Sequence, residues 1–318
     1  MKKVYLIISI DTECDKSKDW SVQHPFSFQN IKDQERTLMP LFEKYKIKPT
    51  YLLSPEVLND RESIKYFESI QNKIELGTHL HSEFIEPNSD MSSKTTSEAQ
   101  CSLSGKEEAL KLKNLTDLFI KTFGFQPLSF RAGRFGVSKR TLEILSELYY
   151  KVDSSYVPFK NFKFRDSRIF GWGTPFLPYI KDDILEVPVT HFSTKYIKLP
   201  SIINKLIKNK NSYFSKLALR IIGSRETYWL RPLKHNKKRL IEIADITIND
   251  IFKKKDYAIL NIMFHSNEIT PGCSPYCSTD TDVENYIKDL DFLFNHLQSN
   301  YDLCSIGLGE CYGYMCQN

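Results

Sequence analysis

At 318 residues, with 41% hydrophobic and 26% charged positions, the chain suits one large α/β domain or two smaller ones. That composition is the one expected of an ordered globular protein, and no apolar stretch approaches the length needed to cross a membrane. Net charge is +5, but the segment from Lys195 to Arg239 holds thirteen Lys/Arg and one acid, Glu226, so it carries +12 and the remainder −7.

Val4–Ile10 is a continuous, β-branched apolar run, which predicts a strand buried on both faces of a parallel sheet. It stops at Asp11 with no small-residue cleavage site behind it, so it is read as a strand and not as a signal peptide. Apolar residues at helical spacing predict a helix over 30–45, after a possible Asn30 cap. Strands follow at 49–53 and 74–78, with a helix at 63–71 between them. Residues 87–105 are polar and Ser/Thr-rich, which predicts a loop. An amphipathic helix at 106–123 stops at Gly124, and a strand at 128–131 follows. Further on come a helix at 139–148, strands at 151–153, 185–189 and 258–264, a helix at 281–298 and a last strand at 302–306. Strands alternating with helices predict a parallel α/β fold. Seven cysteines with no C-x-x-C pair and no export signal predict reduced thiols in a cytoplasmic protein.

The ionisable residues of interest fall just past strands: Asp11 and Glu13, His79 and His81, Arg131, Asp153, and His265. In a β/α barrel the C-terminal strand ends carry the active site, so such a set reads as converging. His79 and His81 stand two apart in extended chain, which aims both imidazoles to one side. Imidazole suits zinc, iron, cobalt and nickel, and two imidazoles need a third ligand.

The ordered motifs resemble the polysaccharide deacetylases, the NodB-homology domains of carbohydrate esterase family 4. Ser9-Ile-Asp11-Thr-Glu13 resembles the first motif, Glu75-Leu-Gly-Thr-His79-Leu-His81 the second, Ser129-Phe-Arg131-Ala-Gly-Arg-Phe-Gly136 the third, Val152-Asp153 the fourth and Ile262-Met-Phe-His265-Ser-Asn-Glu268 the fifth. The first motif usually has two adjacent Asp, and the histidines of the second usually stand four apart; this chain departs at both. The resemblance implies a distorted (β/α) barrel of about seven parallel strands. It implies Asp11 as general base, His265 as general acid protonated near neutral pH, and Arg131 as the residue that holds the base. Asp153 is a further catalytic candidate, and an amide between Arg134 and Gly136 serves the oxyanion. The implied metal ligands are Glu13, His79 and His81, with Glu83 as a rival to His81. The ion is divalent: zinc, or else cobalt, nickel or iron. The implied activity is removal of an N-acetyl or other acyl group from an amino sugar of a polysaccharide or its precursor. The alternatives are hydrolysis of a non-sugar amide, and a silent carbohydrate-binding or scaffold protein.

The basic segment 195–239 interrupts the strand–helix rhythm and reads as a helical insertion in a single domain spanning 1–318. Its apolar stripes, Ile202, Ile203, Leu206 and Ile207 among them, suit packing on the barrel or peripheral contact with the inner face of a membrane. Alternatively it guides a phosphate- or lipid-linked substrate, with Tyr228, Trp229 and Arg231 covering the sugar. No nucleic-acid-binding motif accompanies the charge, so no nucleic-acid partner is expected.

Overall fold

The computed structural model describes residues 1–93, 99–163, 168–170, 176–193, 227–232 and 237–316. Its strands are β1 (Lys3–Thr12), β2 (Thr50–Leu53), β3 (Glu75–Leu80), β4 (Ser129–Ala132), β5 (Val152–Asp153), β6 (Asn161–Lys163), β7 (Arg168–Phe170), β8 (Tyr179–Lys181), β9 (Ile184–Glu186), β10 (His191–Ser193), β11 (Thr227–Trp229), β12 (Tyr257–His265) and β13 (Asp302–Ser305). The sheet runs β12-β1-β2-β3-β4-β5-β9-β8, with β13 also on β1. Every ladder in it is parallel except β8–β9. β1 is central because it is long and buried from Leu6 onward. One edge pairs with β12 along Lys3–Asp11, and the other is shared by β13 and then β2.

Beyond β9 the chain meets β12. The Thr190 amide donates to the Asn261 carbonyl at 2.9 Å, and the Asn261 amide to Thr190 Oγ1 at 2.8 Å. These bonds curl the sheet into a half-barrel, the distorted barrel expected from the motifs. It differs from seven simple parallel strands in having the antiparallel β8 at one end and β13 wedged beside β1. Helices cover the outer face: Gly105–Phe123 buries Leu112, Leu115 and Phe119, and Asp280–Asn300 buries Leu290, Leu293, Phe294 and Leu297. Both have a side-chain cap, Ser104 and Thr279 respectively, that accepts from the third residue of its helix.

The helix predicted over 30–45 is two helices, Gln29–Asp33 and Leu38–Tyr45. Pro40 is the reason. Proline has no N–H to donate and clashes with the preceding turn, so it fits only the first turn of a helix. It is the third residue of the second one. A helix at Lys237–Ile251 was not anticipated. Of the predicted basic insertion, residues 195–226 and 233–236 lie outside the described residues, and so does the expected membrane-facing stripe. No helix among the described residues is long and apolar enough to cross a membrane.

Candidate active site and metal centre

Parallel strands place their C-terminal ends on one rim. There the structure brings together Asp11 and Glu13 from β1, His79 and His81 from β3, Arg131 from β4 and His265 from β12. Asp11, Glu13, His79, His81 and His265 line one cleft of about 410 Å³, within the ~300–1,000 Å³ range of small-molecule sites.

Glu13, His79 and His81 are all buried, and their ligand atoms lie within 4.8 Å of one another. Glu13 Oε1 is 3.2 Å from His79 Nε2 and 2.9 Å from His81 Nε2, and the two Nε2 atoms are 3.1 Å apart. The other ring nitrogens are occupied. His79 Nδ1 lies 3.0 Å from the Arg131 carbonyl, which can only accept, so Nδ1 carries the proton. His81 Nδ1 lies 3.3 Å from Glu83 Oε1. Burial pushes His79 down to about 3 and lowers His81 as well, so both rings are neutral near pH 7. Two lone pairs and a carboxylate oxygen thus face one point with no donor between them. That arrangement fits a cation, and carbonyl or carboxylate partners behind ligating histidines are the usual outer support. Glu83 does not reach the shared point. It sits on the Nδ1 side of His81 and accepts from Arg134 Nη2 at 2.7 Å. Burial opposes its charge, but His81 and Arg134 pull its pKa well below the usual range.

Gly133 sets the approach of the β4 loop. A Cβ there would lie 2.4 Å from the Leu80 carbonyl and 3.5 Å from His81 Cε1. A side chain would push the loop off the histidine strand. Of the amides expected to serve an oxyanion, that of Gly136 is closed on the Gly133 carbonyl at 3.0 Å. Arg134 and Phe135, the other two residues of that turn, both line the cleft.

Arg131 is 0% exposed. Its Nη1 donates to Asp11 Oδ1 at 2.6 Å, its Nε to the Ser154 carbonyl at 2.7 Å, and its Nη2 to Ser9 Oγ and Ser154 Oγ at 2.7 and 2.8 Å. Ser9 Oγ donates onward to Asn261 Oδ1 at 2.7 Å, which ties β12 into the same layer. Burial alone would raise the Asp11 pKa; Arg131, with His79 and His265, more than reverses that and holds it at about 2. Oδ2 of Asp11 faces the cleft, 3.9 Å from His79 Nε2 and 3.9 Å from His265 Nε2.

His265 was expected to be protonated near neutral pH. Burial instead brings it down to about 4, against the pull of Glu268, so the ring is neutral. Glu268 Oε1 is 3.0 Å from His265 Nδ1 and accepts the His265 amide at 2.9 Å. Glu268 also pairs with Arg231 and accepts from the Tyr286 hydroxyl at 3.0 Å. Trp20 packs its indole 4.9 Å from the His265 ring. Glu268, quoted above without a role, and Lys16 also belong to this site. Lys16 sits on Glu13 Oε2, leaving Oε1 to the histidines. Burial lowers its pKa to about 8, against the Glu56 charge. Glu268 stands in the quoted fifth motif, and its i+3 spacing from His265 on a turn was the available signal.

Asp153 does not join the cleft. Its carboxylate accepts from Ser155 Oγ at 2.5 Å and faces Glu186, its register partner across β5–β9. Side chains alternate along a strand, so when Ser154 points to Arg131 its neighbour must point away. Asp153 and Glu186 are both 0% exposed. Burial raises both pKa values, and the Asp153 charge lifts Glu186 further, well above its usual range. The pair therefore keeps a proton that the unfolded chain releases near pH ~4.3. Its stabilisation is complete below that pH and is lost as pH rises through the folded value, by about 1.4 kcal/mol per unit. Glu186→Gln supplies the donor permanently and still accepts the Tyr156 amide, now at 3.1 Å. Denaturation at pH 5 and pH 8 should show a flatter loss of stability for the variant than for the parent; a steeper loss would contradict this.

No family model matches the chain, and no curated protein matches its sequence. Solved structures do match. A structure described as a probable polysaccharide deacetylase from Pseudomonas aeruginosa PAO1 superposes with a TM-score of 0.55 at 10% identity, covering 100% of this chain and 92% of that one. The chain has the NodB-like deacetylase fold. A Puue allantoinase also matches, with TM-score 0.55 at 10% identity, over 100% of this chain and 91% of that one. A GH57-type branching enzyme from the hyperthermophilic archaeon Pyrococcus horikoshii matches at 0.54 and 12% identity, over 96% and 69%. At such identities the NodB-like likeness is one of fold.

Proposed function

We propose that the protein is a metal-dependent hydrolase that removes an acyl group, acetyl first, from the nitrogen of an amino sugar. The observation that carries this is the convergence of Glu13 Oε1, His79 Nε2 and His81 Nε2 beside Asp11 and His265. When bound there, a divalent ion supplies a Lewis acid that activates water and polarises an acyl oxygen. Two imidazoles and a carboxylate suit zinc, and also cobalt, nickel or iron.

The remaining roles fall to the chain. Arg131 occupies Asp11 Oδ1, so Oδ2 is the oxygen that takes a proton from the attacking water. The proton passes to the departing amine by way of His265 Nε2, which stands 3.9 Å from Oδ2. Glu268 positions that ring through Nδ1 and stabilises it while charged. A backbone amide of the Arg134–Gly136 turn, that of Arg134 or Phe135, would serve the oxyanion.

The test is acetate release from N-acetylated hexosamine oligomers by the zinc-supplemented full chain, with and without a chelator. Turnover should be abolished by the chelator and restored by added zinc. Turnover indifferent to chelation, or none on any N-acyl sugar, would contradict it. The allantoinase neighbour is the observation on the side of a second reading, hydrolysis of a non-sugar amide. Turnover of allantoin with none of the acetylated sugars would select that reading.

A further inference from the structure

The wall of the cleft beside His265, where Arg231 Nη2 lies 3.1 Å from His265 Nδ1, carries two N–H groups that the proposed hydrolysis leaves unused. Trp229, at the end of β11, and Arg231 two residues on both line the cleft. Trp229 Nε1 and Arg231 Nε are buried and have no hydrogen-bond partner among the described residues. Arg231 is only 6% exposed. A buried donor without an acceptor costs free energy, so such groups call for an explanation, and an unbound ligand is one.

Charge on this wall points the same way. Arg231 Cζ lies 5.3 Å from the centre of the Trp229 ring, and Lys160 Nζ lies 4.9 Å from the same centre. Two cations thus flank one indole. Lys160 is held below the ordinary lysine range, first by partial removal from water and then by the Arg231 charge. The other cations of the cleft have carboxylate partners: Lys16 has Glu13, Arg134 has Glu83, and Arg231 has Glu268. Lys160, which also lines the cleft, has none among the described residues.

We infer that Lys160, Trp229 and Arg231 form a subsite for an oxyanion, a carboxylate or phosphate carried by the substrate next to its acylated sugar. Lys160 supplies the unspent charge, and the indole and Arg231 supply N–H groups that have no other acceptor among the described residues. Neither N–H reaches solvent in this structure, so binding requires the indole to turn toward the cleft. The subsite rests on the hydrolase reading for the identity of the attached sugar, not for its own existence.

Three probes test it by calorimetric titration of the full chain: a neutral N-acetylhexosamine dimer, an N-acetylhexosamine–uronic acid disaccharide and an N-acetylhexosamine 1-phosphate. At least one anionic probe should bind about tenfold tighter than the neutral one, as a charge-assisted hydrogen bond allows. Whichever anion binds tighter assigns carboxylate or phosphate. Trp229→Phe, which keeps the ring and removes the N–H, and Lys160→Met should each shrink that preference severalfold. Equal affinity for all three probes, no measurable binding of any, or a preference that survives both substitutions would overturn the subsite. Acetate release is followed on the same sugars. A preference for the anion without acetate release keeps the subsite and sinks the hydrolase; acetate release with equal affinities does the reverse.

Discussion

Arg131→Met is expected to lower folding stability by about 3–5 kcal/mol, the usual cost of removing one partner from a buried ion pair. Three consequences add up. Asp11 keeps a buried carboxylate with no guanidinium, and Ser9 and the Ser154 carbonyl each lose a donor. The layer joining β1, β4 and β12 is opened at its centre. The Asp11 pKa, no longer held at about 2, then follows burial upward. That shift gives the test a second readout. Asp11 protonates at higher pH, so the acid limb of stability and of any activity moves to higher pH. Denaturant titration from pH 4 to pH 8 checks both. A variant within about 1 kcal/mol of the parent would mean that Arg131 is not the keystone of this layer.

Asp11→Asn is expected to lower kcat by about 100- to 10,000-fold, the range typical for loss of a positioned general base. The amide oxygen can still accept from Arg131 Nη1, so the buried layer keeps its geometry. Because Glu13, His79 and His81 converge as a ligand group without Asp11, metal content should match the parent. KM should change little, since the lost interaction acts in the transition state. Steady-state acetate release with elemental analysis of the same samples separates the outcomes. Loss of metal in the variant would make Asp11 a ligand, and undiminished kcat would remove it from the chemistry.

Much of this site could be read from the chain because each residue follows an apolar run that can only be a buried parallel strand. Asp11, His79, Arg131 and His265 are all found where such strands end. Order in the sequence then placed them on one rim. Asp153 followed the same rule and still faces away, because its strand is two residues long and a shift of one position reverses the side chain. Glu83 against His81 was open for a different reason. Spacing cannot say which nitrogen of His81 a neighbour holds, and only the folded loop puts Glu83 behind the ring. Arg231 was noticed only as a sugar-covering residue of a basic segment, since its bond to Glu268 spans a large sequence gap. The split helix before β2 was legible in Pro40, whose position forbids a continuous turn.

The central claim is that three acceptor atoms hold a cation. Elemental mass spectrometry of the purified full chain, equilibrated with zinc and then desalted, addresses it directly. About one divalent ion per chain is expected, retained by Asp11→Asn and lost by His79→Ala and Glu13→Gln. A folded parent that retains no ion, or a His79→Ala variant that retains as much as the parent, would contradict it.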